Sequence, residues 1–273
     1  MKKSIVTILL GILLFSCNDS NKPNLKKSAE TLENPSDSLK MCIDILPLEI
    51  SDVDKSFHAG VLNDKIWKNL PKNSKGQQLI NVRFIGGTEF VQKKVIEYAK
   101  KWESYANIEF KFYDISNDPN LNPEIKISFV KGKGSWSYLG SDSKLVSPSM
   151  NYGWLNDNTS ETEFSRVILH EFGHALGLIH EHQNPRNNAI QWNKEAVYSY
   201  FSGSPNFWSK AQIEHNILNK YSIDQINGSA FDPNSIMLYS FPKNLMLNGN
   251  GTKNNSTLSE MDKQVIERIY NSN

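Results

Sequence analysis

Four of the chain's six histidines fall in one short run, His170-Glu171-Phe172-Gly173-His174-Ala175-Leu176-Gly177-Leu178-Ile179-His180-Glu181-His182. This run constrains the fold more than any other feature, because it asks for a helix of definite phase and then for its end. At about 100° per residue, His170 and His174 project from one helix face at neighbouring turns. Two imidazoles are thereby offered to one ion. Glu171 lies about 100° round from His170, where its carboxylate reaches water held by such an ion without itself binding the metal. It is placed as a general base. A helix that must stop and reverse usually finishes on a residue in the left-handed region, which glycine enters without a Cβ penalty, and Gly177 stands where that is needed. The turn brings His180 back as a third ligand. Three neutral imidazoles leave a divalent cation its full charge and an open position for water, an arrangement suited to catalysis. Zn²⁺ best fits nitrogen ligands and a hydrolytic role at neutral pH. His58 and His215 have no such context and read as ordinary histidines, and His182 is a candidate for supporting the ligands from behind.

The 273 residues suffice for one large domain or two small ones, with a sizeable core. Beyond the N-terminus no segment is apolar for long enough to span a bilayer. A formal charge of +1 gives no field that argues for nucleic acid. The two cysteines, Cys17 and Cys42, supply no disulfide framework for the region after residue 42. Stability there comes from packing or from a metal.

Met1-Lys2-Lys3, followed by the short apolar run to Phe15, has the form of a secretory signal. The run closes on Leu14-Phe15-Ser16-Cys17, which resembles the lipobox of bacterial lipoproteins. That resemblance implies cleavage after residue 16, acylation of Cys17 and an extracytoplasmic protein anchored by lipid to a bacterial membrane. From Asn18 to about Leu39 the chain is rich in Asn, Ser, Lys, Asp and Pro, the composition of a solvated tether. Residues 40–64 read as a pro-segment or a continuation of it. The catalytic domain is expected over 65–273, divided into an N-subdomain at 65–180 and a C-subdomain at 181–273.

Within it, Leu79–Ile85 reads as a strand, and Gly86-Gly87 leads to a helix started by Thr88, with Val91, Val95, Ile96, Ala99 and Trp102 on one face. Lys93, Lys94, Lys100 and Lys101 form its solvated face. Ile108–Tyr113 and Ile125–Val130 alternate with period two and predict strands with one buried face, separated by a polar turn over Ser116–Pro123. Short strands are expected within Gly132–Gly140 and Pro148–Leu155. No repeat of solenoid period is present.

The pattern His170-Glu171-x-x-His174-x-x-Gly177-x-x-His180 resembles the zinc signature of the metzincins, which also carry a downstream methionine turn beneath the metal. Asp232-Pro233-Asn234-Ser235-Ile236-Met237-Leu238-Tyr239 supplies the matching Met237. Glu181 directly after the third histidine, and Tyr239 two residues after the methionine, resemble the astacin branch. The astacin resemblance implies an α+β metzincin fold with a mixed N-terminal sheet, an active-site helix and a smaller, mostly irregular and helical C-terminal part. It also implies that Tyr239 is a fifth zinc ligand able to swing away and hydrogen-bond the transition state. Ser135-Trp136-Ser137-Tyr138-Leu139-Gly140 resembles the strand leading to the substrate-binding edge. Trp192-Asn193-Lys194-Glu195-Ala196 and Leu258-Ser259-Glu260-Met261-Asp262-Lys263 match further stretches. Two departures stand out. The paired disulfides of animal astacins are absent, and Leu238 replaces the histidine common between the methionine and the tyrosine. In animal astacins the glutamate equivalent to Glu181 meets the freed mature N-terminus; its partner here is open.

The resemblance thus implies a zinc metalloendopeptidase with one catalytic Zn²⁺. Glu171 takes a proton from metal-activated water and delivers it to the leaving amine, without a covalent intermediate. A protein or peptide is the expected substrate and a monomer the expected state. Cys42 precedes the domain, and a thiolate is a strong zinc ligand, so a latent form in which it fills the open position is a further expectation. Two rival readings are a catalytically silent surface-binding module and a zinc enzyme acting on non-peptide substrates. The first gives no physical reason to keep Glu171, three histidines, Met237 and Tyr239 together.

Overall fold

The computed structural model describes residues 65–113, 121–204, 206–221 and 229–271. Cys17, Cys42, His58, the signal, tether and pro-segment, and most of the turn at Ser116–Pro123 lie outside the described residues.

The sheet begins with β1 (Gln78–Ile85), where Ile80, Val82 and Phe84 are buried and their neighbours are more open, so one face meets the core. A helix, α1 (Glu89–Ala99), follows, its first turn capped by the Thr88 hydroxyl, which accepts from the Val91 amide at 3.2 Å. Val91, Val95, Ala99 and Trp102 are buried and Ile96 packs beside them, as the apolar spacing requires. On the other face Lys93 pairs with Glu89, and Lys94 with Glu97 and Glu161, all at the surface. The chain returns as β2 (Ile108–Tyr113), parallel to β1 with Val82 opposite Phe112.

Next come β3 (Ile125–Ser128), β4 (Ser135–Ser137) and β5 (Met150–Tyr152). The sheet order is β2-β1-β3-β5-β4, parallel except for β4, which runs antiparallel to β5 and ends the sheet. The two glycine-flanked and proline-flanked segments therefore contribute strands shorter than their sequence windows.

One expectation fails at β3. The strand stops at Ser128 and all four of its residues are buried. Alternation misleads here because the polar side chains meet protein instead of water: Ser128 Oγ donates to Asn151 Oδ1 of β5 at 2.7 Å, and Lys126 reaches the segment between β4 and β5. Lys126 Nζ donates to the carbonyls of Ser143, Lys144 and Val146 at 3.2, 2.8 and 2.9 Å. Glu124, also buried, accepts from the Asn81 amide and side chain at 3.0 and 2.9 Å and from Lys144 Nζ at 2.9 Å. The connection from β4 to β5 is thus held by a lysine acting as an internal cation.

Helix α2 (Glu161–Ala175) starts at Ser160, whose hydroxyl accepts from the Glu163 amide, and from Phe164 onward nearly every residue is buried. It packs on α1 and β4. Phe172 meets Phe110 edge-on at 5.0 Å, and the Trp102 indole donates to the Leu169 carbonyl at 3.2 Å. After it, α3 (Lys194–Ser202), a single turn α4 (Lys210–Ile213) and α5 (Glu260–Asn271) complete the α-helices among the described residues.

Core membership crosses residue 180. Ile236, Met237, Ile266 and Tyr270 join the sheet and α2 in the larger apolar cluster. The smaller cluster groups Val197, Phe201, Trp208, Ile213, Ile217, Tyr239, Phe241, Leu245 and Met246, with Trp136 of β4 packed against it.

Lys126→Met is expected to keep the apolar stem but leave buried carbonyls unpartnered, lowering stability by about 2 kcal/mol. Chemical denaturation measures it, and an unchanged midpoint would show that the ammonium is dispensable.

Candidate metal centre and active site

Helix α2 must end abruptly for three imidazoles to meet. Its last turn closes as a Schellman motif: the Gly177 amide bonds the His174 carbonyl at 2.8 Å and the Leu178 amide bonds the Gly173 carbonyl at 2.9 Å. Gly177 takes φ +95°, the left-handed conformation that its position in the sequence demands. The remaining carbonyls at the helix end are met from elsewhere, by the Trp67 indole on Ala175 at 2.7 Å and the Tyr270 hydroxyl on Leu176 at 3.0 Å. A buried helix end is thereby fully partnered.

The reversal brings His170, His174 and His180, all buried, into one group. Nε2 of His174 lies 3.2 Å from Nε2 of His170 and 3.0 Å from Nε2 of His180. Four nitrogen ligands at ordinary zinc distances around a tetrahedral ion stand about 3.3 Å apart, so the spacing suits that ion. The second ring nitrogens of His170 and His174 are occupied. Nδ1 of His170 donates to the Ile236 carbonyl at 2.8 Å, and Nδ1 of His174 to the Leu178 carbonyl at 2.8 Å. These bonds fix the tautomer that leaves Nε2 with a lone pair. Burial, reinforced by His174 and His180, holds His170 well below the usual imidazole range and hence neutral. Neutral imidazole is the ligand form. The donor set fits zinc on its own chemistry.

Glu171, the residue after the first histidine, is buried. Tyr239 is buried too, its phenol oxygen in contact with Nε2 of His180 and its ring 5.1 Å from that of His170. Replacement of the customary histidine by Leu238, also buried, leaves that phenol at the histidine group. His182 stacks behind His180 at 5.4 Å, and its Nε2 donates to the Asn216 carbonyl at 2.9 Å. It thus backs the third histidine, whereas His215 is only half-buried and stands outside the group. Trp192 and Phe241 extend the aromatic packing behind His182. In β4, Ser135 and Ser137 are buried, Trp136 is half-buried, and Tyr138 packs edge-on to Trp136 at 6.0 Å.

Met237 lies against α2 at Gly173, where a Cβ would collide with its sulfur. Spacing alone does not single out this glycine between the two histidines, although a glycine inside a helical run is itself the signal of close approach. Sequence reasoning also misses Ser235 and Asp262. Ser259 and Asp262 form a reciprocal cap on α5, with Ser259 Oγ accepting from the Asp262 amide at 3.0 Å and Asp262 Oδ2 from the Ser259 amide at 2.9 Å. The same carboxylate reaches the turn under the histidines, accepting from Ser235 Oγ at 2.7 Å and from the Ile236 amide at 2.9 Å. Burial raises its pKa, against the lowering effect of these bonds. Glu181 Oε1 accepts from the Asp232 amide at 2.8 Å and from Asn184 Nδ2 at 3.0 Å, and burial pushes its carboxyl up to about 7.

The sheet, the buried helix and the histidine group define a zinc hydrolase site of the metzincin kind. Comparison with known proteins narrows this. The model of the Astacin peptidase family matches residues 69–271, and the chain belongs to the astacin family of zinc metalloendopeptidases. Two solved structures of myroilysin are similar. One is 44% identical with a TM-score of 0.70, covering 78% of this chain and 98% of that one. The other is 41% identical with a TM-score of 0.61, covering 87% and 93%. Zinc metalloproteinase nas-36 of Caenorhabditis elegans is 28% identical over 151 residues, 54% of this chain and 21% of that protein. Protein SpAN of Strongylocentrotus purpuratus is 27% identical over 176 residues, 62% of this chain and 24% of that protein. The chain therefore spans less than a quarter of the length of these curated relatives.

Two outcomes follow. Gly173→Ala is expected to cost about 1–3 kcal/mol by overpacking against Met237, more than the roughly 1 kcal/mol alanine gains in a helix. A variant more stable than the parent in denaturant would contradict the contact. In the metal-free protein, the folded state retains the Glu181 proton to a higher pH than the unfolded chain does. Stability from this group is therefore full below about pH 4.5 and declines as pH rises through 7, by on the order of 3 kcal/mol. Glu181→Gln keeps the Oε1 acceptor and is expected to flatten that decline; an unchanged pH profile would refute the assignment.

Proposed function

We propose that this chain cleaves internal peptide bonds of proteins outside the cytoplasm, with His170, His174 and His180 as ligands of one Zn²⁺, Glu171 as general base and Tyr239 as transition-state donor. The observation that carries the reading is the convergence of three buried Nε2 atoms on the helix that bears Glu171. Zinc, when bound, supplies the Lewis acidity that activates water and polarises a carbonyl at neutral pH. Glu171 takes a proton from the attacking water onto its carboxylate and passes it to the leaving nitrogen. The Tyr239 phenol donates a hydrogen bond to the oxyanion as it develops. The neutral imidazoles preserve the charge that makes this chemistry possible, and the buried surroundings strengthen each of these interactions.

Ser135-Trp136-Ser137-Tyr138 form the edge against which an extended substrate lies. This is supported by the position of β4 at the end of the sheet, with β5 as its one partner strand. The sequence supports a lipid anchor at Cys17, a solvated tether after it and a monomeric extracytoplasmic enzyme facing protein substrates at the membrane. Cys42 would hold a latent form as a thiolate ligand of that zinc until the segment carrying it is cut away, a reading supported by its place ahead of the domain and by the affinity of thiolate for zinc.

A soluble form starting after residue 42 is expected to hydrolyse denatured protein, to lose activity with a zinc chelator and to regain it with added Zn²⁺. Glu171→Ala is expected to abolish turnover with zinc still bound, whereas Tyr239→Phe lowers kcat by about 10²–10³-fold with little change in KM. A folded, zinc-loaded protein that cleaves nothing would contradict the proposal. Cys17→Ser is expected to move the protein from the membrane fraction to the soluble one. In the uncut chain Cys42→Ser is expected to raise activity, and no increase would remove the latency mechanism.

A further inference from the structure

The Ile236–Met237 peptide, whose carbonyl fixes His170, is itself held by a side chain. That carbonyl accepts from His170 Nδ1 at 2.8 Å. The same peptide's N–H, on Met237, donates to Ser235 Oγ at 3.0 Å, and Ser235 Oγ donates to Asp262 Oδ1 at 2.7 Å. Every donor in this line points the same way, from the imidazole towards the carboxylate, and His170, Ser235, Ile236, Met237 and Asp262 are all buried. The carboxylate is fixed in turn by the amides of Ile236 and Ser259 at its second oxygen.

We propose that Asp262 is a positioning residue for the zinc ligand His170, acting through Ser235 and the Ile236–Met237 peptide to orient the imidazole and make its Nε2 a stronger donor. This rests on reading His170 as a zinc ligand. Aligned hydrogen bonds polarise one another in a low-dielectric interior. A metal-ligating histidine commonly gives its second N–H to a carboxylate or carbonyl that raises its basicity. Here both partners are present in series, the carbonyl against the ring and the carboxylate two bonds further along. Capping of α5 alone does not account for the arrangement. The cap needs only the Ser259 and Asp262 backbone and side chains, whereas Ser235 Oγ and the Met237 amide have no part in it.

The test is Zn²⁺ affinity, measured on the full chain by competition with a chromophoric chelator, for the parent and for Ser235→Ala, Ser235→Thr, Asp262→Asn and Ser259→Ala. Ser235→Ala and Asp262→Asn are expected to weaken zinc binding by about 10–100-fold, the usual effect of losing a partner behind a metal ligand. Ser235→Thr, which keeps the hydroxyl, is expected to restore affinity. Ser259→Ala removes the cap but not the relay, and is expected to reduce stability while leaving affinity unchanged. In Ser235→Ala the Nδ1 proton resonance of His170 is expected to move upfield as its hydrogen bond weakens. Parent-like affinity in Ser235→Ala, or an equal loss in Ser259→Ala, would overturn the relay while leaving the zinc site intact. A parent chain that binds no Zn²⁺ would overturn the site and the relay together. If Asp262→Asn does not fold, the three serine variants decide the matter.

Discussion

Three imidazole lone pairs have to meet at one point inside the protein, and two of them come from a helix that must stop at once so that the third can reach them. Much of the domain answers to that constraint. The Schellman turn at Gly177 ends α2 three residues after His174, and its Leu178 carbonyl is the group that holds His174 Nδ1. The same few residues therefore terminate the helix, turn the chain and set a tautomer. Trp67 from the start of the described chain and Tyr270 from its last helix then complete the hydrogen bonding of the helix end. The site is fixed from segments far apart in sequence because a buried helix terminus tolerates no unpartnered carbonyl.

Opposite that turn stands the segment Ser235–Tyr239. It lies between the two apolar clusters, with Ile236 and Met237 in the larger and Tyr239 in the smaller. Its first part fixes His170 through a carbonyl, and its last part brings a phenol to His180. Gly173 permits the approach by having no side chain where Met237 lies. Ligand geometry and core packing are consequently one problem, and a change of a single methyl group on α2 is felt at the metal centre.

Much of this is legible in the sequence because the chemistry is local. His170, Glu171, His174, Gly177 and His180 sit on one helix and its turn, so helical phase and the conformational freedom of glycine suffice to place them. Strand β1 and helix α1 are equally readable, since one face of each meets the core and the other meets water. Resemblance to astacins then extends the reading to Met237 and Tyr239, whose distance along the chain puts them beyond any argument from spacing. The failures share a cause. Lys126 and Ser128 look like the outer face of a strand, yet the β4–β5 connection takes up the lysine and Asn151 of β5 takes up the serine, and only tertiary structure reveals it. Ser259 and Asp262 carry the spacing of a helix cap. That the same carboxylate reaches across to Ser235 depends on how α5 packs, which no local pattern encodes.

Whether the three histidines hold the ion is decided by X-ray absorption at the zinc edge of the loaded full chain carrying Cys42→Ser, because it counts and identifies the ligands around the ion. Three imidazole nitrogens at about 2.0–2.1 Å are expected, with lighter oxygen scattering completing the shell. Fewer than three imidazoles, or a spectrum unchanged by His180→Ala, would contradict this coordination.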